Sequence, residues 1–401
     1  MLYNLQNPIQ NYAWGSTTAL TELFGIANPN QEPQAEVWMG AHPNGCSQVV
    51  VDGQPMLLSK LISDAPEKVL GEQAYQAFGG LPYLLKLLAA EQPLSVQVHP
   101  EKSKAQAGFN REVAQGIPLG ASYRNFKDAN HKPELVYALT PYLAMNAFRP
   151  VAEIVDLFEQ SGCTLLFDWV VRLKTTPDAQ HLQGFFHYIL SLTGDEQQDV
   201  LGQLLDNVAG KGRDDNARLA FKTVAMLEQF YPWDIGLFSP LFLNVIELAP
   251  GEAMFLQAET PHAYLRGTGV EIMANSDNVL RAGLTPKHID VDELIANTRF
   301  ESIPAAELLT KPVLNGNVAR FPVPVDDFKF EIITLNNDVT SDTRHRQTVT
   351  SAEILLAIAG EITVEMKGIS LSLKAGESAF VEAYAEGYQV TGIGQWVRVS
   401  V

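Results

Sequence analysis

Leu248-Ala249-Pro250-Gly251-Glu252-Ala253-Met254-Phe255-Leu256 is a turn followed by an apolar run. It returns near the end of the chain as Leu373-Lys374-Ala375-Gly376-Glu377-Ser378-Ala379-Phe380-Val381. Gly and Pro punctuate the chain where it must turn, and the apolar run after each turn reads as a strand. Both copies carry an upstream strand and a downstream stretch containing glycine and aromatic residues. Such self-similarity predicts two related β-sandwich or barrel modules. With Gly251 set against Gly376, His262 falls opposite Gly387, and no histidine follows His345. A histidine-dependent site in the first copy therefore has no counterpart in the second, and one functional and one structural module are expected.

Working outward, residues 1 to about 148 read as strands broken by the turns Gly15-Ser16, His42-Pro43-Asn44-Gly45 and Asp52-Gly53. Helices are expected at Met56–Ile62 and from Pro66 to Leu70, proline being tolerated at a helix start. After Pro150 the pattern changes. Ile154, Val155, Leu157 and Phe158 recur at helical spacing, as do Val200, Leu201, Leu204, Leu205 and Val208, and then Ala220, Phe221, Val224, Leu227 and Tyr231. Gly210 to Asn216 reads as a polar turn between helices. A helical insertion at about 150–232 follows, its apolar stripes read as packing faces.

The chain has 401 residues, 46% of them hydrophobic, and a formal net charge of −18. No basic cluster offsets that charge, which argues against nucleic acid and against an anionic membrane surface as partners. No run approaches the ~18 apolar residues that a membrane-spanning helix needs. Met1 to Pro8 lacks a charged segment followed by an apolar one, so no secretory signal is expected. Cys46 and Cys163 stand far apart with no CxxC spacing and read as reduced thiols. These features predict a cytoplasmic protein.

The chemistry is carried by Gln97-Val98-His99, His131-Lys132-Pro133-Glu134 and Pro261-His262. Leu94 to Pro100 reads as a strand, and on a strand i and i+2 point to one face, so Gln97 and His99 approach a common point. Glu134 and His262 complete a set of two imidazoles, a carboxylate and an amide oxygen. That is a shell for a borderline divalent ion with a position left open. The donor set alone accepts zinc, cobalt, manganese or iron. Read singly, Gln97 and His99 could form a polar outer face, and His262 a loop histidine bonded to a carbonyl. His181, His187, His288 and His345 have no matching partner and read as structural or solvent-facing.

With these motifs in order, the chain closely resembles the type I phosphomannose isomerases over essentially its whole length. The resemblance rests on Asn11-Tyr12-Ala13-Trp14-Gly15, Glu36-Val37-Trp38-Met39-Gly40 with His42-Pro43, and Leu94 to Pro100. It continues through His131-Lys132-Pro133-Glu134 and Thr260-Pro261-His262-Ala263-Tyr264, and is longest from Asn275 to Lys287. It implies a mainly β fold with two cupin-type β-barrel or jelly-roll modules plus an α-helical domain. Residues 1–149 and 233–305 would form the catalytic module, 150–232 the helical insertion, and 306–401 a degenerate module without a metal site. It implies one zinc ion per chain on Gln97, His99, Glu134 and His262. Arg281 matches an arginine beside the substrate, and Lys86, Ser95, Lys132 and Lys287 fall on pocket and phosphate positions.

The implied reaction interconverts mannose 6-phosphate and fructose 6-phosphate by moving a proton between neighbouring carbons through an enediol or enediolate. Arg281 can hold paired oxygens in its fixed fork. His131 and Lys132, close in sequence to Glu134, are the acid/base candidates, with a phosphate or hydroxyl contact as the alternative for Lys132. Glu271, mid-strand among apolar residues, needs a partner such as Arg281 or the substrate. Trp14 and Tyr264 are candidate walls against the sugar. A small sugar phosphate is thus the expected partner, with no nucleic acid and no membrane, and the chain is expected to be a monomer or weak homodimer. Two other readings fit the fold: a sugar-phosphate binding protein without turnover, and a metal-dependent oxygenase. The second fits poorly, because such sites leave two or three positions open around iron.

Overall fold

The computed structural model describes residues 1–208, 212–336 and 344–401. Among these residues the backbone forms two large sheets, of ten and nine strands. The first runs in the order Leu243–Leu248, Tyr142–Phe148, His262–Ala274, Tyr83–Ala90, Glu36–Met39, Ile9–Gln10, with Glu134–Ala138, Ala253–Leu256, Gln97–Val98 and Leu280–Arg281 joined to it. The second runs Leu2–Asn4, Ser378–Val381, Glu353–Met366, Gly387–Ser400, Lys329–Leu335, Val318–Phe321, Val313–Asn315, with Arg344–Thr348 and Ile369–Lys374 joined to it. Neither hydrogen-bonded path closes on itself. The modules are therefore cupin-type open sheets rather than the closed barrels that were one expectation.

The repeated turn has the same geometry in both modules. Gly251 and Gly376 have φ of 94° and 88°, in the region that only glycine enters freely. In each copy the glutamate after the glycine turns back to accept from the backbone three residues earlier: Ala249 N–H donates to Glu252 and Lys374 N–H to Glu377, both at 2.8 Å. Beyond each turn His262 and Gly387 are the first residues of the long strands His262–Ala274 and Gly387–Ser400.

The helices of the inserted stretch are Val151–Ser161, Phe167–Thr175, Ala179–Ser191, Gly194–Val208 and Asp215–Glu228. Asp178 and Asp214 cap two of them, each accepting from a backbone N–H at 2.8 Å. The stripes read from the sequence are buried, and their core continues into Val96, Val98, Ala263, Leu265 and Leu280. The insertion thus packs behind the strands that carry Gln97, His262 and Arg281. Gly210 and Lys211, in the turn expected between two of its helices, lie outside the described residues.

Several local expectations need correcting. The helix expected at Met56–Ile62 spans Leu58–Asp64, while Pro66–Leu70 is helical as read. Helices Ala19–Phe24, Glu72–Phe78 and Lys102–Ala114 were not anticipated. The last buries only Ala105, Gly108 and Glu112, too thin a stripe to register as amphipathic. Leu2–Asn4, assigned with the first module, pairs instead with Ala379–Val381 of the second. Edge strands carry no signal of which sheet they join.

The two modules share a core containing Leu85, Leu87, Val270 and Ile272 from one and Phe330, Ile354, Leu356 and Val397 from the other. Tyr83 donates across to the carbonyls of Ala352 and Val399 at 3.1 and 3.3 Å. Inside the second module lies a buried ionic cluster. Arg398 donates from Nη1 to Glu331 at 2.6 Å and from Nε to Glu353 at 2.9 Å, and the Tyr388 hydroxyl donates to Glu353 at 2.8 Å. His345 is buried against the Trp396 ring at 5.6 Å. Arg398→Leu should destabilise the fold by about 3–5 kcal/mol, because it leaves Glu353 buried without its cation and Glu331 with Arg320 alone, 2.7 Å away. A thermal melt checks this; an unchanged melting temperature would mean the cluster is already hydrated.

Candidate metal centre and adjoining cleft

Strand register assembles the site. Gln97 is the cross-strand partner of His262 on one side and of Arg281 on the other, so these side chains belong to one rung. Glu134 lies opposite Met273 on the far end of the His262–Ala274 strand. His99, Glu134 and His262 are all buried. Their ligand atoms lie within 4.8 Å of one another.

Both imidazoles are turned the same way. His99 Nδ1 lies 2.6 Å from the Asn278 carbonyl and His262 Nδ1 2.9 Å from the Thr260 carbonyl. A carbonyl can only accept, so each Nδ1 carries the proton and each Nε2 presents a lone pair. Nε2 of His99 is 3.2 Å and Nε2 of His262 3.5 Å from the Glu134 carboxylate. The His99 Nε2 is buried yet makes no aligned hydrogen bond. Lone pairs and a carboxylate facing one another are mutually repulsive unless a cation lies between them, so the set fits a divalent ion. Burial, only partly offset by Glu134, lowers the His99 imidazole to about 4 and keeps it neutral. Burial alone would raise the Glu134 carboxyl, but Lys132, 3.2 Å away, and His99 hold it well below the usual range.

A second buried cluster adjoins the first. Lys86 lies directly opposite Glu271 on one neighbouring strand and opposite Trp38 on the other. Its Nζ is 2.8 Å from Glu271, 3.4 Å from Glu36, and 5.3 Å from the centre of the Trp38 ring. Burial works against the ammonium, but the two carboxylates outweigh it and hold Lys86 protonated. Glu271 is therefore partnered by Lys86 and not by Arg281, which register places on Gln97 instead. The buried carboxylates of Glu36, Glu134 and Glu271 outnumber the ammonium groups of Lys86 and Lys132 by one, and a divalent cation would turn that excess positive.

The space directly over these groups, lined by Gln97, Lys132, Glu134, His262, Tyr264 and Glu271 among others, is about 60 Å³, room for an ion and a water or two. Tyr264 donates to Glu134 at 3.2 Å. Next to it a cleft of about 540 Å³ is lined by Arg281, Lys287, Lys127, Arg124, His288 and Asp277 with their neighbours. Arg281 depresses the Lys287 ammonium, with burial adding to the effect, so these cations crowd one another. Asp277 is the cleft's carboxylate. Its burial would raise it, but His42, 3.3 Å away, and the nearby Lys132 and Lys86 hold it below its ordinary value.

The remaining sequence candidates are elsewhere. His131 is turned away from Glu134: its Nε2 lies 3.0 Å from both oxygens of Asp327, between the strands Val318–Phe321 and Lys329–Leu335 of the second module. Trp14 stacks on Tyr12 at 5.8 Å and lines neither space. Ser95 is partly buried on the loop between Leu94 and Val96, also outside both linings. His288, read as structural, lines the cleft. Glu36, Lys127 and Asp277 were not singled out, although Glu36 and Asp277 lie inside quoted motifs.

Known proteins share this arrangement of chain. Family models match residues 2–151 as the catalytic domain of type I phosphomannose isomerase, 166–243 as its helical insertion domain, and 317–401 as the cupin domain of mannose-6-phosphate isomerase. The chain is 48% identical to mannose-6-phosphate isomerase of Escherichia coli (strain K12), over 99% of each chain. It is 33% identical to that of Homo sapiens, over 90% of this chain and 88% of the other. Among solved structures, a variant of phosphomannose isomerase from Salmonella typhimurium has a TM-score of 0.94 at 47% identity, covering 100% of this chain and 99% of that one. A zinc-bound mannose 6-phosphate isomerase has a TM-score of 0.92 at 47% identity, with the same coverage.

Proposed function

The chain belongs to the type I phosphomannose isomerase family, and from that premise we propose that it interconverts mannose 6-phosphate and fructose 6-phosphate with one zinc ion. Gln97, His99, Glu134 and His262 would hold the zinc. The observation that carries this reading is the Gln97 rung. It joins two imidazole lone pairs facing a carboxylate to a cleft lined by Arg281, Lys287 and Lys127, which suits a phosphorylated sugar. A bound divalent ion supplies positive charge where negative charge develops on O1 and O2 of an enediolate. The same reading assigns catalysis to the first module and leaves residues 306–401 structural.

The side chains divide the remaining work. Lys287 and Lys127 receive the phosphate as point charges, while Arg281, on the same rung as Gln97 and His262, reaches oxygens nearer the reacting carbons. Asp277 is a carboxylate at the cleft wall and takes the role of base, removing a proton from C2 of the aldose and returning it to C1, while the O2 hydroxyl proton passes to O1. Lys132 and Lys86, each fixed by buried carboxylates, donate hydrogen bonds to the sugar oxygens. His131, engaged by Asp327, is not needed for the proton transfer. Tyr264 orients Glu134.

A coupled assay converting mannose 6-phosphate to fructose 6-phosphate tests the proposal, run before and after chelation and again with zinc restored. We expect turnover that the chelator abolishes and zinc returns. Absence of turnover in the zinc-replete protein would leave a sugar-phosphate binding protein.

A further inference from the structure

The carbonyl that orients His99 belongs to Asn278, a residue with no exposed surface. The side chain of the same residue is fully engaged with the segment 127–130. Its Oδ1 accepts from the backbone N–H of Lys127 at 2.7 Å and of Asp128 at 3.2 Å. Its Nδ2 donates to the carbonyls of Asp128 and Asn130, each at 2.8 Å, and to Asp128 Oδ1 at 3.2 Å. Asp128 answers by accepting from the Ser276 hydroxyl at 2.8 Å and the Asp277 N–H at 2.7 Å. The reciprocal bonds lock the two segments together.

We propose that Asn278 is a positioning residue that sets the His99 imidazole and the Lys127–Asn130 segment as one unit, so that metal retention and sugar-phosphate binding are coupled through it. Its main chain points the metal-ligating imidazole. Its side chain fixes the start of the Lys127 backbone, and from there the Lys127 ammonium reaches the cleft wall, where it is 3.2 Å from the carbonyls of Leu119 and Ala121. A loosened amide would let the His99 carbonyl partner drift and would release Lys127 from the cleft in the same motion. A buried amide is suited to the task because it both donates and accepts. A carboxylate of the same shape could accept from Lys127 and Asp128, but it could not donate to the two carbonyls and would oppose Asp128.

The inference rests on the function proposed above, so the test separates the two. In Asn278→Asp, zinc affinity is read by competition with a chromophoric chelator, which needs no turnover; KM for mannose 6-phosphate is read at saturating zinc; and the melting temperature is recorded. Zinc affinity should fall about 10–100-fold, as when an outer partner of a metal ligand is lost, and KM should rise with it. Wild-type zinc affinity, or weakened zinc with an unchanged KM, overturns the proposal. So does a lower melting temperature with both constants intact, which would mark Asn278 as merely structural. Asp128→Asn breaks the brace from the other side and decides the matter if the first variant does not fold. A wild-type protein that binds zinc but shows no turnover would refute the function and not the coupling to zinc.

Discussion

His99→Ala should lose zinc and turnover together. The substitution removes a buried neutral imidazole whose Nε2 faces Glu134 at 3.2 Å, and no neighbouring side chain can take its place. Loss of an outer partner alone costs about 10–100-fold in metal affinity, so loss of the ligand should exceed about 100-fold. The remaining set leaves Glu134 with one imidazole, His262, and the Lys132 ammonium 3.2 Å away. Metal content after dialysis and rate in the coupled assay should fall in parallel, and His262→Ala should behave alike. A variant that keeps a full complement of zinc would remove His99 from the ligand set.

Arg281→Ala should separate the two properties. Arg281 shares the rung of Gln97 and lines the cleft, so zinc should stay while kcat falls about 100- to 1,000-fold, the scale of losing a preorganised donor to developing charge. Arg281→Lys should recover only part of that rate, since an ammonium cannot grip two oxygens in a plane. A rise in KM with kcat intact would instead make Arg281 a phosphate contact. The split between the two constants therefore assigns its role.

Residues that act through one short segment were the legible ones. Gln97 and His99 are two residues apart, and so are Lys132 and Glu134, so each pair was readable from its own short segment, although the strand expected from Leu94 to Pro100 spans only Gln97–Val98. The helical stripes were equally readable, because Ile154 and Phe158, Val200 and Leu204, and Ala220 and Val224 each recur four residues apart. What escaped was pairing across long separations. His42 meets Asp277, His131 meets Asp327, and Lys86 rather than Arg281 meets Glu271. Such partners are chosen by strand register and by the docking of one module on another, neither of which leaves a local periodic trace. Helix Lys102–Ala114 escaped for the opposite reason: it follows the periodic rule so sparingly that its polar residues mask it.

The correspondence between His262 and Gly387 also bears on what the second module can become. A Cβ on Gly387 would lie 2.7 Å from the Gln347 carbonyl oxygen, closer than real side chains approach. Gly387→His would therefore not graft a ligand onto that module; the adjoining strand would first have to retreat. Arg398, Glu331 and Glu353 already hold the interior as a cluster of paired charges. The two halves of the chain have thus become one-way specialists. An engineer seeking a second metal centre here would have to rebuild the backbone before choosing any ligand.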